Sequence, residues 1–213
     1  MNFYIIKAGD TLYQVAQKLG IPLEQLIKDN QLNLDNPVTI GQALVIKPPK
    51  NKILVNGYAY PNINQNVLNQ TLPYLSYLSI FSYQIKSDGN LEEIEDEAII
   101  EQALKSQVAS MMVITNIGEN SFDSELVHQI FIDENAKQNL LKNCLSIIQE
   151  KNYYGIDIDF EYIYPSDREL YNQFIETATS FFHNYGITVT TALAPKLFEN
   201  QSGLLYEAHD YEF

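Results

Sequence analysis

Residues 154–161 decide the fold, and they run Tyr154-Gly155-Ile156-Asp157-Ile158-Asp159-Phe160-Glu161. Apolar and acidic side chains alternate along this stretch, which is the period of a β-strand. One face of the strand carries Ile156, Ile158 and Phe160, and the other carries Asp157, Asp159 and Glu161. In a parallel barrel the apolar face would pack against helices and the acidic face would point inward. Glu161 would then stand at the carboxyl end of the strand, where such barrels have their active sites.

The acidic face of this strand predicts a catalytic site. Successive carboxylates on one strand face lie about 6–7 Å apart, and their repulsion should keep at least one protonated near neutral pH. A protonated carboxyl is what a general acid needs. We therefore interpret Asp157, Asp159 and Glu161 as catalytic, with no metal and no cofactor. Two other interpretations stay open here: the solvated face of an edge strand, and a site for a divalent metal.

Strand and helix patterns alternate on both sides of this stretch, from residue 53 to the end of the chain. Such alternation predicts an α/β fold of parallel strands joined by crossover helices. An open doubly wound sheet and a barrel both fit this alternation. The first strand lacks the G-x-G-x-x-G pattern, so a nucleotide-binding fold has no support. Ser166 and Glu169 predict a capping box before the helix that follows residue 161. The five expected strands are 53–60, 77–84, 109–115, 155–161 and 187–192.

The barrel is expected to be incomplete. A barrel of eight strand–helix units needs about 250 residues, whereas the chain has 213 and only part of them follow residue 52. Five strands account for that part. The sequence thus predicts the first portion of a (β/α)8 barrel, in a fragment, a partial chain or a shortened reading frame.

The first 48 residues have a different pattern and a different charge. Residues 3–6 and 43–46 are expected strands, and two short helices lie between them, the first capped by Asp10 and ended by Gly20. The whole chain has a formal charge of −14, which divides into a net of +1 over residues 1–50 and −15 over residues 51–213. We therefore predict one domain over 1–48, a linker over 49–52 that contains Pro49, and a second domain over 53–213. The acidic second domain makes nucleic acid an unlikely partner.

Two segments of the first domain resemble the LysM family, which binds glycans that contain N-acetylglucosamine. They are residues 7–16, Lys7-Ala8-Gly9-Asp10-Thr11-Leu12-Tyr13-Gln14-Val15-Ala16, and residues 40–46, Ile40-Gly41-Gln42-Ala43-Leu44-Val45-Ile46. The resemblance implies a sugar site between the loop after the first strand and the loop before the second. The residues that it assigns to the sugar are Gly9, Asp10, Thr11, Leu12, Asn36, Pro37 and Ile40.

The acidic row resembles the D-x-x-D-x-D-x-E signature of glycoside hydrolase family 18, the chitinase-like glycosidases. The resemblance implies that Glu161 is the general acid/base, that Asp159 orients the acetamide of the substrate and that Asp157 supports Asp159 by sharing a proton. It also implies substrate contacts for Tyr83, Asn116 and Tyr162. The first Asp of the signature is Tyr154 here. The family's Tyr on the sixth strand and its Trp on the last strand have no counterpart, since the chain has no Trp.

Further segments resemble the LysM-bearing spore glycosidases of Bacillus and Clostridium relatives, notably Val55-Asn56-Gly57-Tyr58 and Thr191-Ala192-Leu193-Ala194-Pro195-Lys196. This resemblance implies a peptidoglycan or chitin oligosaccharide as partner and a location on the spore or cell wall. The N-terminus shows no signal peptide, and no apolar run is long enough for a membrane span. The competing interpretation is a non-catalytic protein that binds the wall through its LysM module. Oligomeric state is not indicated.

Overall fold

The structure is a computed structural model, and it describes residues 3–33, 38–46, 53–198 and 201–209. The chain divides into two compact units, Met1–Ile53 and Leu54–Phe213, each with its own core. The expected linker, 49–52, lies outside the described residues. No helix within those described ranges is long and apolar enough to cross a membrane.

The first unit has the order strand, helix, helix, strand. Its elements are β1 (Phe3–Ile5), α1 (Leu12–Leu19), α2 (Leu23–Asp29) and β2 (Ala43–Val45), and β1 pairs with β2 in antiparallel register. The two helices bury an apolar stripe with Val15 and Leu26 against Ile6 and Leu44. The unit contains no cysteine, so this small core holds it together without a disulfide.

The cap of α1 differs from the one that the sequence predicted. Thr11 caps the helix, not Asp10: the Thr11 hydroxyl accepts the Gln14 backbone N–H, and the Gln14 side chain accepts the Thr11 N–H. Asp10 instead accepts the Tyr4 hydroxyl and the Lys7 N–H, each at 2.8 Å. These bonds brace the turn after β1. Gly20 ends α1 in the left-handed conformation, φ 67°, as predicted.

The second unit alternates strand and helix, as the sequence predicted. Its strands are β3 (Asn56–Ala59), β4 (Tyr77–Ile85), β5 (Leu91–Glu92), β6 (Ala109–Thr115), β7 (Gly155–Asp159) and β8 (Thr188–Thr191). Its helices are α3 (Gln65–Thr71), α4 (Glu97–Lys105), α5 (Ser124–Ile132), α6 (Glu134–Lys151) and α7 (Arg168–His183), with 3₁₀ turns at Leu72–Tyr74 and Pro165–Asp167. The helices α5 and α6 meet at Asp133, whose carboxylate accepts the Asn135 and Ala136 N–H groups.

The sheet order is β3-β4-β6-β7-β8, and every neighbouring pair along it is parallel. The short β5, which the sequence did not reveal, pairs antiparallel with β4 as a hairpin. Five parallel strands with crossover helices form the first portion of a barrel of the (β/α)8 type. The acidic strand β7 is therefore internal, with β6 and β8 on its two sides, and the interpretation of a solvated edge strand was wrong.

Two local expectations near β7 were also wrong. The strand ends at Asp159, so Glu161 lies in the loop beyond it and not on the strand itself. The capping box of Ser166 and Glu169 does not form, because α7 begins at Arg168 and Asp167 stands at its N-cap without a side-chain cap. Asp167 instead pairs with the His128 ring, Nδ1 to Oδ2, at 2.7 Å.

Candidate active site

The two faces of β7 separate apolar from acidic side chains, as the alternation predicted. Ile156, Ile158 and Phe160 have no exposed surface, and the Phe160 ring packs against Phe131 of α5 and Phe174 of α7. The opposite face presents Asp157 and Asp159, which are 1 % and 6 % exposed. The helices thus cover the apolar face, and the carboxyl groups occupy the other side of the sheet.

Hydroxyl groups from three strands surround Asp157. Its Oδ2 accepts the Tyr58 hydroxyl at 2.5 Å and the Ser79 hydroxyl at 3.1 Å, and its Oδ1 accepts the Thr190 hydroxyl at 2.7 Å. Burial, followed by this hydrogen bond to Asp157, raises the pKa of Tyr58, so Tyr58 remains a donor. Both oxygens of Asp157 are thus held by β3, β4 and β8. The proton shared with Asp159 that the resemblance implied is not among the hydrogen bonds of the described residues.

Asp159 is a buried carboxyl with two other acidic groups close to it. Burial, and then the negative charges of Glu161 and Asp157, raise its pKa to about 7. One of its oxygens, Oδ1, is buried with no hydrogen-bond partner in the described part of the chain. Asp159 is therefore partly protonated near neutral pH, and it retains hydrogen-bonding capacity that the protein does not use.

Glu161 is held by its backbone rather than by its carboxyl group. The Asn116 side chain, at the end of β6, accepts the Glu161 N–H at 3.0 Å and donates to the Glu161 carbonyl at 2.9 Å. Asn116 has no exposed surface, and it also donates to the Asp123 carbonyl at 3.0 Å. Partial burial raises the pKa of Glu161. The side-chain amide of Asn116 thus fixes the backbone of Glu161. Because Asn116 is fully buried, it is not placed to contact a ligand itself.

The next residue, Tyr162, has a left-handed backbone with φ 56°, which is uncommon outside glycine. Its carbonyl accepts the hydroxyl of Ser124, the first residue of α5. Tyr162 is 43 % exposed, and its ring stacks on Phe122 with the centroids 6.1 Å apart. Asn116 and Ser124 together hold the turn in which the chain leaves β7.

A cavity of about 500 Å³ lies over these groups. Asp159 and Glu161 both line it, whereas the buried Asp157 does not. The other lining residues are Tyr58, Ala59, Tyr60, Phe81, Phe122, Ala192 and Leu193. Most of them end or follow a strand: Ala59 and Tyr60 at β3, Phe122 after β6, and Ala192 and Leu193 after β8. Phe81 lies within β4. The cavity therefore stands toward the carboxyl ends of the strands. Aromatic walls around two carboxyl groups can hold a sugar ring and exchange a proton with it.

Tyr83 does not lie in this cavity. Its ring has no exposed surface, and its hydroxyl donates to the buried Asp96 at 2.5 Å. The same carboxylate accepts from Tyr153 and from Lys151, the latter at 2.6 Å. Tyr83 thus belongs to a buried polar network, and this placement does not support the substrate contact that the resemblance implied.

The residues that hold Asp157 were missed as site residues in the sequence. Tyr58 and Ser79 lie in segments, 55–58 and 79–83, that resemble the spore glycosidases, but the resemblance gave neither of them a role, and Thr190 gave no signal. Within the described ranges, no three side chains of His, Cys, Asp or Glu are grouped so that they could hold a metal ion. The divalent-metal interpretation of the row therefore has no geometric support there.

The LysM-type residues lie at the turns of the first unit. Gly9 has φ 87°, a conformation that favours glycine, and Asp10 and Thr11 form the turn and cap described above. Leu12 packs partly against the core of the unit, and Ile40 is 68 % exposed in the loop before β2. Asn36 and Pro37 lie outside the described residues. Sugar contacts of these side chains remain predictions.

Comparisons with known proteins find similar sequences for both parts of the chain. The LysM domain model matches residues 4–47. The cortical fragment-lytic enzyme of Bacillus subtilis is 36 % identical over 99 % of this chain and 62 % of its own length. Almost the whole chain is thus similar to a cortical fragment-lytic enzyme. The enzyme of the same name from Bacillus cereus is likewise 36 % identical, over 97 % of this chain and 61 % of its own length.

Solved structures extend the comparison. The spore cortex-lytic enzyme SleL of Bacillus megaterium superposes with a TM-score of 0.76 at 31 % identity, over 99 % of this chain and 51 % of its own. A class V chitinase from Pseudomonas fluorescens, 20 % identical, shares the fold with a TM-score of 0.69 over 75 % of this chain and 50 % of its own. The chain thus spans about three fifths of its curated relatives and about half of these solved chains.

The two hydrogen bonds between the Asn116 side chain and the backbone of Glu161 lead to a prediction. Replacing Asn116 with alanine should lower kcat with little change in KM, because Glu161 loses its fixed position while the cavity walls remain. The variant should also lose about 1–3 kcal/mol of stability, since buried backbone groups lose their partner. Asn143→Ala, which removes a bond from α6 to the Gly89 carbonyl, is the matched control and should leave turnover unchanged. Equal kcat in Asn116→Ala and the parent chain would contradict the positioning role.

Proposed function

We propose that this chain is the LysM-bearing first portion of a glycosidase that cleaves peptidoglycan containing N-acetylglucosamine. The observation that carries the proposal is the placement of Asp159 and Glu161 on one cavity at the carboxyl end of β7, with Asp157 fixed behind them. The homology to cortical fragment-lytic enzymes supports spore cortex peptidoglycan over chitin as the substrate, and a spore-associated location. The LysM domain would hold the chain on the same polymer.

The mechanism that we propose is substrate-assisted and retaining. Glu161 protonates the glycosidic oxygen while the carbonyl oxygen of the substrate's acetamide attacks the anomeric carbon, so the bond to the leaving sugar breaks as a cyclic oxazolinium forms. Glu161 then takes a proton from water, which opens this ring from the face that the leaving sugar occupied. This route is a known exception to the two-carboxylate scheme of glycosidases.

Asp159 supports this route by its position beside Glu161. Its unpartnered Oδ1 gives it capacity to accept the acetamide N–H, which orients the attacking carbonyl. Its charge would also stabilise the positive oxazolinium. The raised pKa of Asp159 reflects a site that favours a positive or hydrogen-bonding partner, and the acetamide supplies that partner. Asp157 acts indirectly, because its oxygens already accept hydrogen bonds from three hydroxyl groups of the protein.

The experiment compares two matched polymers. The purified chain is incubated with cortex fragments, and with the same fragments after chemical removal of the N-acetyl groups, and new reducing ends are counted. We expect product only from the acetylated material, since the acetamide is the nucleophile. Equal cleavage of both would rule out substrate assistance. Binding to both without cleavage of either would favour the alternative, a wall-binding protein that acts through its complete LysM unit.

A further inference from the structure

A groove of about 580 Å³ lies at the end of the sheet opposite the candidate active site. It is formed where α4 and α6 end and where β6 and β7 begin, and we call it the α4–α6 groove. Its lining includes Leu104, Val108, Ala109, Lys151 and Tyr154. None of the residues that line it also lines the catalytic cavity. A molecule bound in the groove would therefore leave the catalytic cavity open.

The α4–α6 groove has an apolar floor that the described part of the chain leaves uncovered. Ile100, Leu104 and Val108 supply this floor, and Leu104 is 72 % exposed. Tyr154 also lines the groove and is 50 % exposed, with its ring centroid 5.9 Å from that of Tyr77. An apolar group that covered these side chains would remove their surface from water, which is favourable. Exposed apolar side chains that share one groove are typical of a surface that binds another protein.

The charged lining of the groove is mainly acidic. Three glutamates line it, among them Glu97 and Glu101 of α4. Lys151 is the single cation among the described lining residues, and its ammonium group is already bound to Asp96 at 2.6 Å and to Glu97 at 3.2 Å. Lys105 pairs with Glu101 at 2.7 Å, but both side chains are mostly exposed, and such pairs are weak. The glutamates can therefore accept a cation from a bound partner.

Two helix ends add to this negative potential. Helix α4 ends at Lys105 and α6 ends at Lys151, and both lysines direct their ammonium groups to acidic side chains. The carboxyl end of a helix carries about half a negative charge. A nucleic acid, an anionic lipid or a second copy of this unit would be repelled, since the net charge over residues 51–213 is −15. The charge thus selects a cationic partner and argues against self-association.

We propose that the α4–α6 groove is a docking site for a basic segment of a partner protein, in which lysine or arginine residues flank an apolar side chain. The apolar side chain would pack on Ile100 and Leu104. The cations would pair with Glu97 and Glu101, or lie against the ring of Tyr154. A chain held in this way still presents its catalytic cavity to the glycan. The proposal does not depend on the proposed function, since no catalytic residue takes part.

Methyl NMR on the full chain tests the proposal. The ¹³C-labelled methyl groups of Ile100 and Leu104 report on the groove, and those of Leu193 report on the catalytic cavity. The probe is a short synthetic peptide in which lysines flank leucines, with both termini blocked. One matched peptide has serines in place of the leucines, which keeps the charge without the apolar groups. Another has glutamates in place of the lysines, which reverses the charge.

We expect only the lysine–leucine peptide to shift Ile100 and Leu104, with no shift of Leu193. The double variant Glu101→Gln and Leu104→Ala, followed at Ile100, should weaken binding of this peptide about tenfold, because an ion pair and an apolar contact are lost. Both residues are exposed, so the variant should fold as the parent does. The matched control is Glu176→Gln with Leu197→Ala, which changes an exposed glutamate and an exposed leucine outside the groove and should leave binding unchanged.

Three other outcomes overturn the docking site, and each leaves the proposed function intact. Equal binding of the lysine–serine peptide would reduce the effect to charge attraction by an acidic surface. Unchanged binding by the groove variant would place the peptide elsewhere on the chain. Shifts of Ile100 and Leu104 that follow protein concentration without any peptide would identify a second copy as the occupant.

Discussion

Replacing Glu161 with glutamine is expected to abolish measurable release of reducing ends while leaving folding and sugar binding intact. Glutamine keeps the shape of the side chain, and the backbone groups that bind Asn116 are unchanged. The amide has no proton to give to the glycosidic oxygen. General acid–base assistance amounts to about 10²- to 10⁴-fold, and protonation of a sugar leaving group should lie at the upper end. Turnover on acetylated cortex fragments is the measurement.

The two aspartates extend this test into an order of effects. Asp159→Asn should also lower turnover strongly, because an amide cannot carry the charge that faces the developing oxazolinium. Asp157→Asn should lower it less, since Asp157 lines no part of the cavity and acts by holding its surroundings. Glu150→Gln, an exposed glutamate on α6, is the matched control and should have no effect. Near-normal turnover by Glu161→Gln would contradict the assignment of the acid, and an absolute need for divalent cation would favour the metal interpretation.

The alternation of residues 154–161 predicted the fold and the acidic face because a strand with two different faces has one stable placement in a sheet. Apolar side chains on one face require helices, and β7 has α5 and α7 on that face. The end of the strand was not predictable in the same way. Glu161 continues the alternation in sequence, yet its backbone groups bind the Asn116 side chain in place of a neighbouring strand.

Tyr83 lies on the opposite face of its strand from the one that simple alternation would give it. Simple alternation places Tyr83 on the same face as Ser79, which contacts Asp157. However, the pairing of β4 with β6 shifts between Ile80 and Tyr83, where three steps on β4 match two on β6. One extra residue moves the following side chains to the opposite face. Tyr83 therefore turns toward Asp96. No residue type in the segment signals this irregularity.

The hydroxyl groups around Asp157 are a second case of information that the sequence lacks. Tyr58, Ser79 and Thr190 are separated by up to 132 positions along the chain, and the parallel order of β3, β4, β7 and β8 brings them together. Each is an ordinary strand residue when taken alone. The same holds for Asp10 and Thr11 in the first unit: both are good caps, and only the geometry of the turn decides which of them caps α1.

The second large effect is expected for stability, at the buried carboxylate of Asp96. Its side chain has no exposed surface, and it accepts hydrogen bonds from Tyr83, Tyr153 and Lys151. These partners connect β4 with the last residue of α6 and with Tyr153, two positions beyond it. Replacing Asp96 with alanine leaves two buried hydroxyl groups and a nearly buried ammonium group without this acceptor. Removal of one partner of a buried ion pair costs about 3–5 kcal/mol.

We expect Asp96→Ala to fall near the lower end of that range, because Lys151 keeps the Ile94 carbonyl and Glu97, each at 3.2 Å. Urea unfolding of the full chain, followed by circular dichroism, measures the loss in the second unit, and the LysM domain should unfold as in the parent. Glu97→Ala is the matched control: it removes the exposed partner of the same lysine and should leave the midpoint unchanged, since exposed ion pairs contribute little. An equal shift in both variants would show that the charge of Lys151, and not the buried acceptor, determines the stability of this network.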